Sequence, residues 1–196
     1  MEAPKGIAVD EVTSWLTERV PDCTPPLDFS LIAGGHSNLT YTVTDQADGK
    51  WVLRRPPLGH VLATAHDMSR EHTIISALQG TAVPVPPVVG LCTDEAVNGA
   101  PFYVMGYVDG TVVRDMATAD SLTVEQRRRA SDSLVEVMAA IHNIDVEAVG
   151  LADLGRHDGY IERQLKRWYR QYQGSQEQNS SIDFKQVDEV YEHLSA

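Results

Sequence analysis

Six residues, Gly34-Gly35-His36-Ser37-Asn38-Leu39, stand between two strand-like runs and constrain the fold more than any other stretch of the chain. Before them, Phe29, Leu31 and Ala33 alternate with outward positions. After them, Leu39, Tyr41 and Val43 alternate again, the two-residue period of a half-buried strand. Asp48-Gly49 is a hairpin signal, and Trp51 to Arg55 is a third strand ending in cations. The first half therefore begins as an antiparallel meander. The glycine pair lets backbone N–H groups close on an anion, and Ser37 and Asn38 could add donors. Such a pair is also what any tight turn needs, so its meaning rests on the segments C-terminal to it.

Residues 9–20 read as an amphipathic helix, with Val9, Val12, Trp15, Leu16 and Val20 on one face and Pro21, Pro25 and Pro26 after it. A second helix runs from Asp67 to Leu78, with Asp67 or Ser69 as its cap. Val83-Pro-Val-Pro-Pro87 must be extended, because a residue before proline avoids the helical region. Val88–Cys92 and Phe102–Val108 are two more strands, joined by a loop holding Asn98-Gly99. Then the pattern changes. Thr123-Val-Glu-Gln126 is a capping box opening a helix whose apolar face is Ala130, Leu134, Val137, Met138 and Ile141. Gly159 to Gln173 and Ile182 to Leu194 read as two further helices, with Gly174 to Ser181 a polar loop between them. The result is an α+β chain: a five-stranded antiparallel lobe with one inserted helix over residues 1–108, then helices only over 109–196.

That is the order of a protein-kinase-like small lobe followed by the start of a helical large lobe. In kinases a cation ending the third strand pairs with nucleotide phosphates and with a helix carboxylate. Arg54 holds this place, and Glu71, on the helix after the strand, is its natural partner. Arg55 points to the opposite sheet face, so only one of the two can serve. Phe102-Tyr-Val-Met-Gly-Tyr-Val-Asp-Gly110 runs from a strand into a turn and stands where a kinase has its hinge. There Met105 would line the base pocket, and backbone groups of Gly106, Tyr107 and Val108 would hydrogen-bond adenine. Each feature also has a plainer reading: an exposed strand-end arginine, a solvated helix acid, an ordinary apolar strand.

The runs Gly34-Gly-His-Ser-Asn-Leu-Thr-Tyr41, Val52-Leu-Arg-Arg-Pro-Pro57, Ala65-His-Asp-Met-Ser-Arg-Glu71, Val83-Pro-Val-Pro-Pro87 and Gly99-Ala-Pro-Phe-Tyr-Val-Met105 resemble the aminoglycoside-phosphotransferase-like family. The likeness is strongest to the subgroup related to the kinase-like domain joined to some acyl-CoA dehydrogenases. It continues through Ala140-Ile-His-Asn-Ile-Asp145 and Gly159-Tyr-Ile-Glu-Arg-Gln-Leu-Lys-Arg-Trp168. The resemblance implies a protein-kinase-like fold, with ATP and Mg2+ used to phosphorylate a hydroxyl of a small molecule. It implies nucleotide binding at Gly34, Gly35, His36, Ser37, Asn38, Arg54, Glu71, Met105, Gly106, Tyr107 and Val108.

The sequence departs from that family at the chemistry. Members carry a His-Gly-Asp-x-x-x-x-Asn loop that supplies the proton acceptor and a metal ligand, and a later Asp that holds metal. None of the seven histidines here is followed by x-Asp. Ile182-Asp183-Phe184 imitates the later metal-binding segment, but Asp183 also reads as an acid in the first turn of a helix. His66 and His72 flank a helix start without a third ligand at suitable spacing, and Ser37 has no identifiable base. No catalytic residue and no metal ligand is therefore assigned. The chain is expected to be a truncated, inactive nucleotide-binding part of a phosphotransferase. The alternatives are a non-catalytic kinase-like binding or oligomerisation module and a fold that uses the glycine turn only structurally.

Composition supplies exclusions. A net charge of −12 argues against a nucleic-acid partner. No apolar run is long enough to span a bilayer, and Met1 to Asp10 lacks the pattern of a signal peptide. Cys23 and Cys92 form no Cys-x-x-Cys pair and suit reduced thiols in the cytoplasm. Apolar helix faces left uncovered would seek a C-terminal lobe or a second copy.

Overall fold

A computed structural model describes residues 4–32, 38–59, 66–156, 158–178 and 184–195. One antiparallel sheet runs in the order β1-β2-β3-β5-β4. Its strands are β1 (Asp28–Leu31), β2 (Leu39–Thr44), β3 (Lys50–Arg55), β4 (Val88–Cys92) and β5 (Phe102–Gly106). Helix α1 (Val9–Thr17) precedes the sheet, α2 (Met68–Ala77) comes after β3, and α3 (Glu95–Asn98) lies between β4 and β5. Then come α4 (Met116–Ser121), α5 (Val124–His142), α6 (Tyr160–Gln178) and α7 (Lys185–Ser195). The α+β order anticipated from the sequence is present, with α2 inserted after the third strand. The chain forms two compact units, 1–151 and 152–196.

Register divides the sheet into two faces. Tyr41 stands opposite Leu53, and Leu53 opposite Val104, so these side chains share one face. That face packs on Val12, Trp15 and Leu16 of α1, and together they form the core. Trp15 meets Phe102 edge-on, with centroids 5.0 Å apart. The indole also lies over Gly90 of β4. Arg55 is also on this face, 6 % exposed, and donates to the carbonyls of Gly6 and Asn98. Leu31, expected to be half-buried, is 56 % exposed at the end of the edge strand.

The β2–β3 hairpin is held by one carboxylate. Asp45 accepts from the backbone N–H groups of Thr24 (2.8 Å), Ala47 (2.9 Å) and Gly49 (2.7 Å). Asp48 takes a left-handed φ of 61°, which Asp tolerates better than most residues. At Gly49 a Cβ would come within 2.5 Å of the Trp51 ring, so the Asp-Gly pair is required by packing as well as by the turn.

Several elements differ from expectation. Helix α1 ends at Thr17 rather than residue 20, although Val20 still packs on the core. Strand β5 ends at Gly106, two residues early. The loop holding Asn98-Gly99 contains α3, capped by Asp94 and closed by Gly99 at φ 67°. Helix α4 was not anticipated; Asp115 caps it, accepting from the Thr118 N–H at 2.7 Å. Helix α6 runs through Gly174 to Gln178 where a polar loop was expected. One interior glycine costs about 1 kcal/mol, and the Gln and Glu around it are good helix formers. Ser175 and Gln176 also bond back to Gln171 and Tyr172. Within the second unit, Tyr169 stacks on Tyr191 at 3.9 Å and donates to Asp188, joining α6 to α7.

Two measurements check this account. Leu53→Ala, at a fully buried position, should destabilise the protein by about 2–5 kcal/mol in denaturant unfolding. Asp45→Ala should lower the melting temperature at neutral pH. Its backbone donors hold the Asp45 pKa below the usual carboxylate value, so its contribution is present above that value and lost in acid. The gap between variant and wild type should therefore close as pH falls below about 4.

Candidate nucleotide site

The face turned away from α1 carries the polar side chains. Thr40 stands opposite Arg54, Thr42 opposite Val52, Arg54 opposite Tyr103 and Val52 opposite Met105. Helix α2 brings an acid to this face. Asp67 caps it by accepting from the Arg70 N–H at 3.0 Å, and that start places Glu71 in the first turn.

Glu71 gathers donors from three places in the chain. Arg54 Nε lies 2.7 Å from Oε2, the Tyr103 hydroxyl 3.1 Å from the same oxygen, and Asn38 Nδ2 2.8 Å from Oε1. Asn38 is in turn 2.6 Å from His66 Nδ1, and Arg54 Nη1 lies 3.3 Å from Thr40 Oγ1. The Arg54 and Glu71 side chains are 32 % and 31 % exposed. Exposed ion pairs contribute about 0.2–1 kcal/mol, so this pair matters more for where it holds the guanidinium than for stability. Burial, reinforced by the Glu71 carboxylate, pushes the Tyr103 phenol well above its usual range. Beside it, His72 meets Tyr103 edge-on, and burial lowers the imidazole pKa.

A pocket of about 630 Å³ opens on the same face, within the range of small-molecule sites. Val52 and Met105 line it from the sheet, Thr40 and Thr42 add hydroxyls, and the segment from Gly106 to Val108 forms part of its wall. Two hinge donors are already engaged. Gly106 N–H donates to Pro87 O at 2.7 Å, and Tyr107 N–H to Lys50 O at 3.3 Å. Val108 makes no hydrogen bond among the described residues. The adenine contacts expected of this segment thus narrow to Val108 N–H and the carbonyls.

The structure brings Asn38, Arg54 and Glu71 together and places Met105, Gly106, Tyr107 and Val108 against the pocket. Gly34, Gly35, His36 and Ser37 lie outside the described residues, as does Asp183. Sequence reasoning missed Ile32, Thr40, Thr42, Val52 and Tyr103. The two-residue strand period counted from Arg54 would have found Val52, and through the pairing Thr40, Thr42 and Tyr103. A magnesium ion finds no cage here: among the described residues no three His, Cys, Asp or Glu converge. Glu71, the acid nearest Arg54, has both oxygens engaged by Asn38, Arg54 and Tyr103.

An antiparallel sheet with a cation on its third strand and an acid on the inserted helix is the arrangement of a protein-kinase-like small lobe. The chain belongs to the phosphotransferase enzyme family, whose sequence profile matches residues 28–196. Acyl-CoA dehydrogenase family member 10 of Mus musculus is 35% identical over 153 residues, covering 78% of this chain and 14% of that protein. Acyl-CoA dehydrogenase family member 11 of Homo sapiens is 34% identical over 153 residues, covering 78% and 19%. The chain therefore spans under a quarter of the length of these relatives. A crystal structure titled a "putative aminoglycoside phosphotransferase", from Ralstonia eutropha JMP134, superposes with a TM-score of 0.68 at 32% identity. That match covers 85% of this chain and 47% of the other.

Tyr103→Phe tests the network. Loss of a hydrogen bond to a charged acceptor should cost about 1.5 kcal/mol near neutral pH. A raised phenol pKa stabilises the fold below the ordinary tyrosine value of about 10 and loses that contribution as pH rises. The deficit of the variant in urea unfolding should therefore shrink above pH ~10.

Proposed function

We propose that this chain is the nucleotide-binding part of an ATP-dependent phosphotransferase acting on a small-molecule hydroxyl. The observation that carries the reading is the Arg54–Glu71 pair on the same sheet face as the hinge pocket. A purine would lie between the Val52 side and Met105, reach the backbone near Val108, and extend its phosphates toward Arg54. Guanidinium suits phosphate through its charge and forked donors.

By itself the chain transfers no phosphate in this reading. Its sequence has no His-x-Asp to take the acceptor proton, and the described residues offer no metal cage. Magnesium would be held, and the acceptor recognised, by residues outside the described set. Among the described residues no helix is long and apolar enough to cross a membrane. The free, buried Cys23 and Cys92 suit a reducing compartment, and a cytoplasmic location goes with it.

A second reading has its own observation. On α5, Leu134, Met138 and Ile141 are 62 %, 48 % and 51 % exposed, an apolar stripe of the kind that seeks cover. A non-catalytic binding or self-associating module would use it. Sedimentation that stays monomeric over a wide concentration range would count against this reading.

Titration calorimetry with ATP and with adenosine is the test. Arg54→Ala should weaken ATP roughly tenfold to hundredfold, the loss of a charge-assisted contact, and leave adenosine nearly unchanged. Arg54→Lys should lose less. Absent ATP binding, or an Arg54→Ala variant that binds like wild type, overturns the nucleotide reading. Magnesium-dependent turnover by the purified chain overturns its inactivity.

A further inference from the structure

We propose that Asn38 is a positioning residue that keeps Arg54 in a one-pronged pair with Glu71 and so leaves the guanidinium end available to an anionic group of the ligand. The nucleotide reading supplies the identity of that group, a phosphate; the geometry stands without it.

Arginine and a carboxylate commonly pair side by side, two N–H groups on two oxygens. Here the second oxygen is turned to Asn38 instead of to the guanidinium. Glu71 Oε1 accepts from Asn38 Nδ2 at 2.8 Å, while Oε2 accepts from Arg54 Nε at 2.7 Å and from Tyr103 at 3.1 Å. An ionised carboxylate can only accept, so the Asn38 NH2 group must face it. The Asn38 carbonyl then faces His66 Nδ1 at 2.6 Å, which must carry the proton and donate. With its amide gripped at both ends and only 7 % of the residue exposed, Asn38 has little freedom to yield Oε1.

The consequence falls on Arg54. Its Nε is bound by Glu71, and Nη1 reaches Thr40 Oγ1 only at 3.3 Å. Nη2 makes no hydrogen bond among the described residues. With 32 % of its side chain exposed, Arg54 presents Nη donors rather than a closed pair. Asn38 also stands directly after the glycine turn in sequence.

The test reads the arginine itself. In 15N NMR of the purified chain, with the Arg54 signal assigned by its disappearance in Arg54→Lys, rotation about Nε–Cζ should be faster in wild type than in Asn38→Ala. In that variant Glu71 Oε1 is released, and the guanidinium should close onto both oxygens. ATP affinity should fall about tenfold while adenosine affinity changes less than twofold, a split that a general loss of fold would not produce. Asn38→Ser, whose hydroxyl is too short to hold Oε1, should repeat both effects should the alanine variant fail to fold. Unchanged Arg54 rotation in the folded variant overturns the proposal whatever ATP does. If wild type binds ATP no better than adenosine, the nucleotide reading fails, and the rotation measurement still decides the role of Asn38.

Discussion

The carboxylate of Glu71 is the point on which the open side of the sheet depends. It receives Arg54 from β3, Tyr103 from β5 and Asn38 from the start of β2. Three stretches far apart in sequence are thereby fixed to one helix. Apolar packing of α2 is lighter, with Met68 fully buried and Ile74 and Ile75 half-buried. On the other face the order of forces is reversed. There Val12, Trp15 and Leu16 pack on Tyr41, Leu53 and Val104, and burial of apolar area, at about 25 cal/mol per Å², holds helix to sheet. The sheet is thus a wall with two functions: α1 stabilises it and α2 arms it.

This division explains why the two adjacent arginines have unrelated fates. Strand alternation sends Arg55 to the packed face, where the carbonyls of Gly6 and Asn98 satisfy it and burial lowers its pKa. It sends Arg54 to the open face beside an acid. A one-residue slip of β3 would exchange them, turning a core leucine to the open face and burying Arg54. The Asp45 clamp on the β2–β3 turn guards against that slip. It links Thr24 ahead of the sheet to Ala47 and Gly49 in the turn, and so sets the register of the hairpin that carries Arg54.

Legibility in the sequence obeys the same physics. Strands with a clean two-residue period, the capping box at Thr123 and the pairing of Arg54 with Glu71 could be read, because each depends on local spacing or on a charge that needs a partner. Tyr103 could not: as an aromatic in an apolar strand it looks like core, and its hydroxyl gains meaning only when β5 is laid beside β3. Asn38 was legible as a turn donor but not as a partner of Glu71, since that bond spans 33 positions. The ends of α1 and α6 were misjudged for opposite reasons. Val20 packs on the core without being helical, and Gly174 is helical because its neighbours outweigh one glycine.

The helices after the sheet obey a different constraint. α5 has a capping box, nineteen residues and an apolar stripe, yet no buried residue. Helix propensity and capping can hold such a segment in shape, but an amphipathic face gains most of its stability only when covered. The sheet, in contrast, already carries a packed core on one face and the Glu71 hydrogen-bond network on the other. The two halves of the chain thus differ in how much they depend on something else. The sheet and α1 share a buried core, while α5 keeps an apolar stripe with no buried residue.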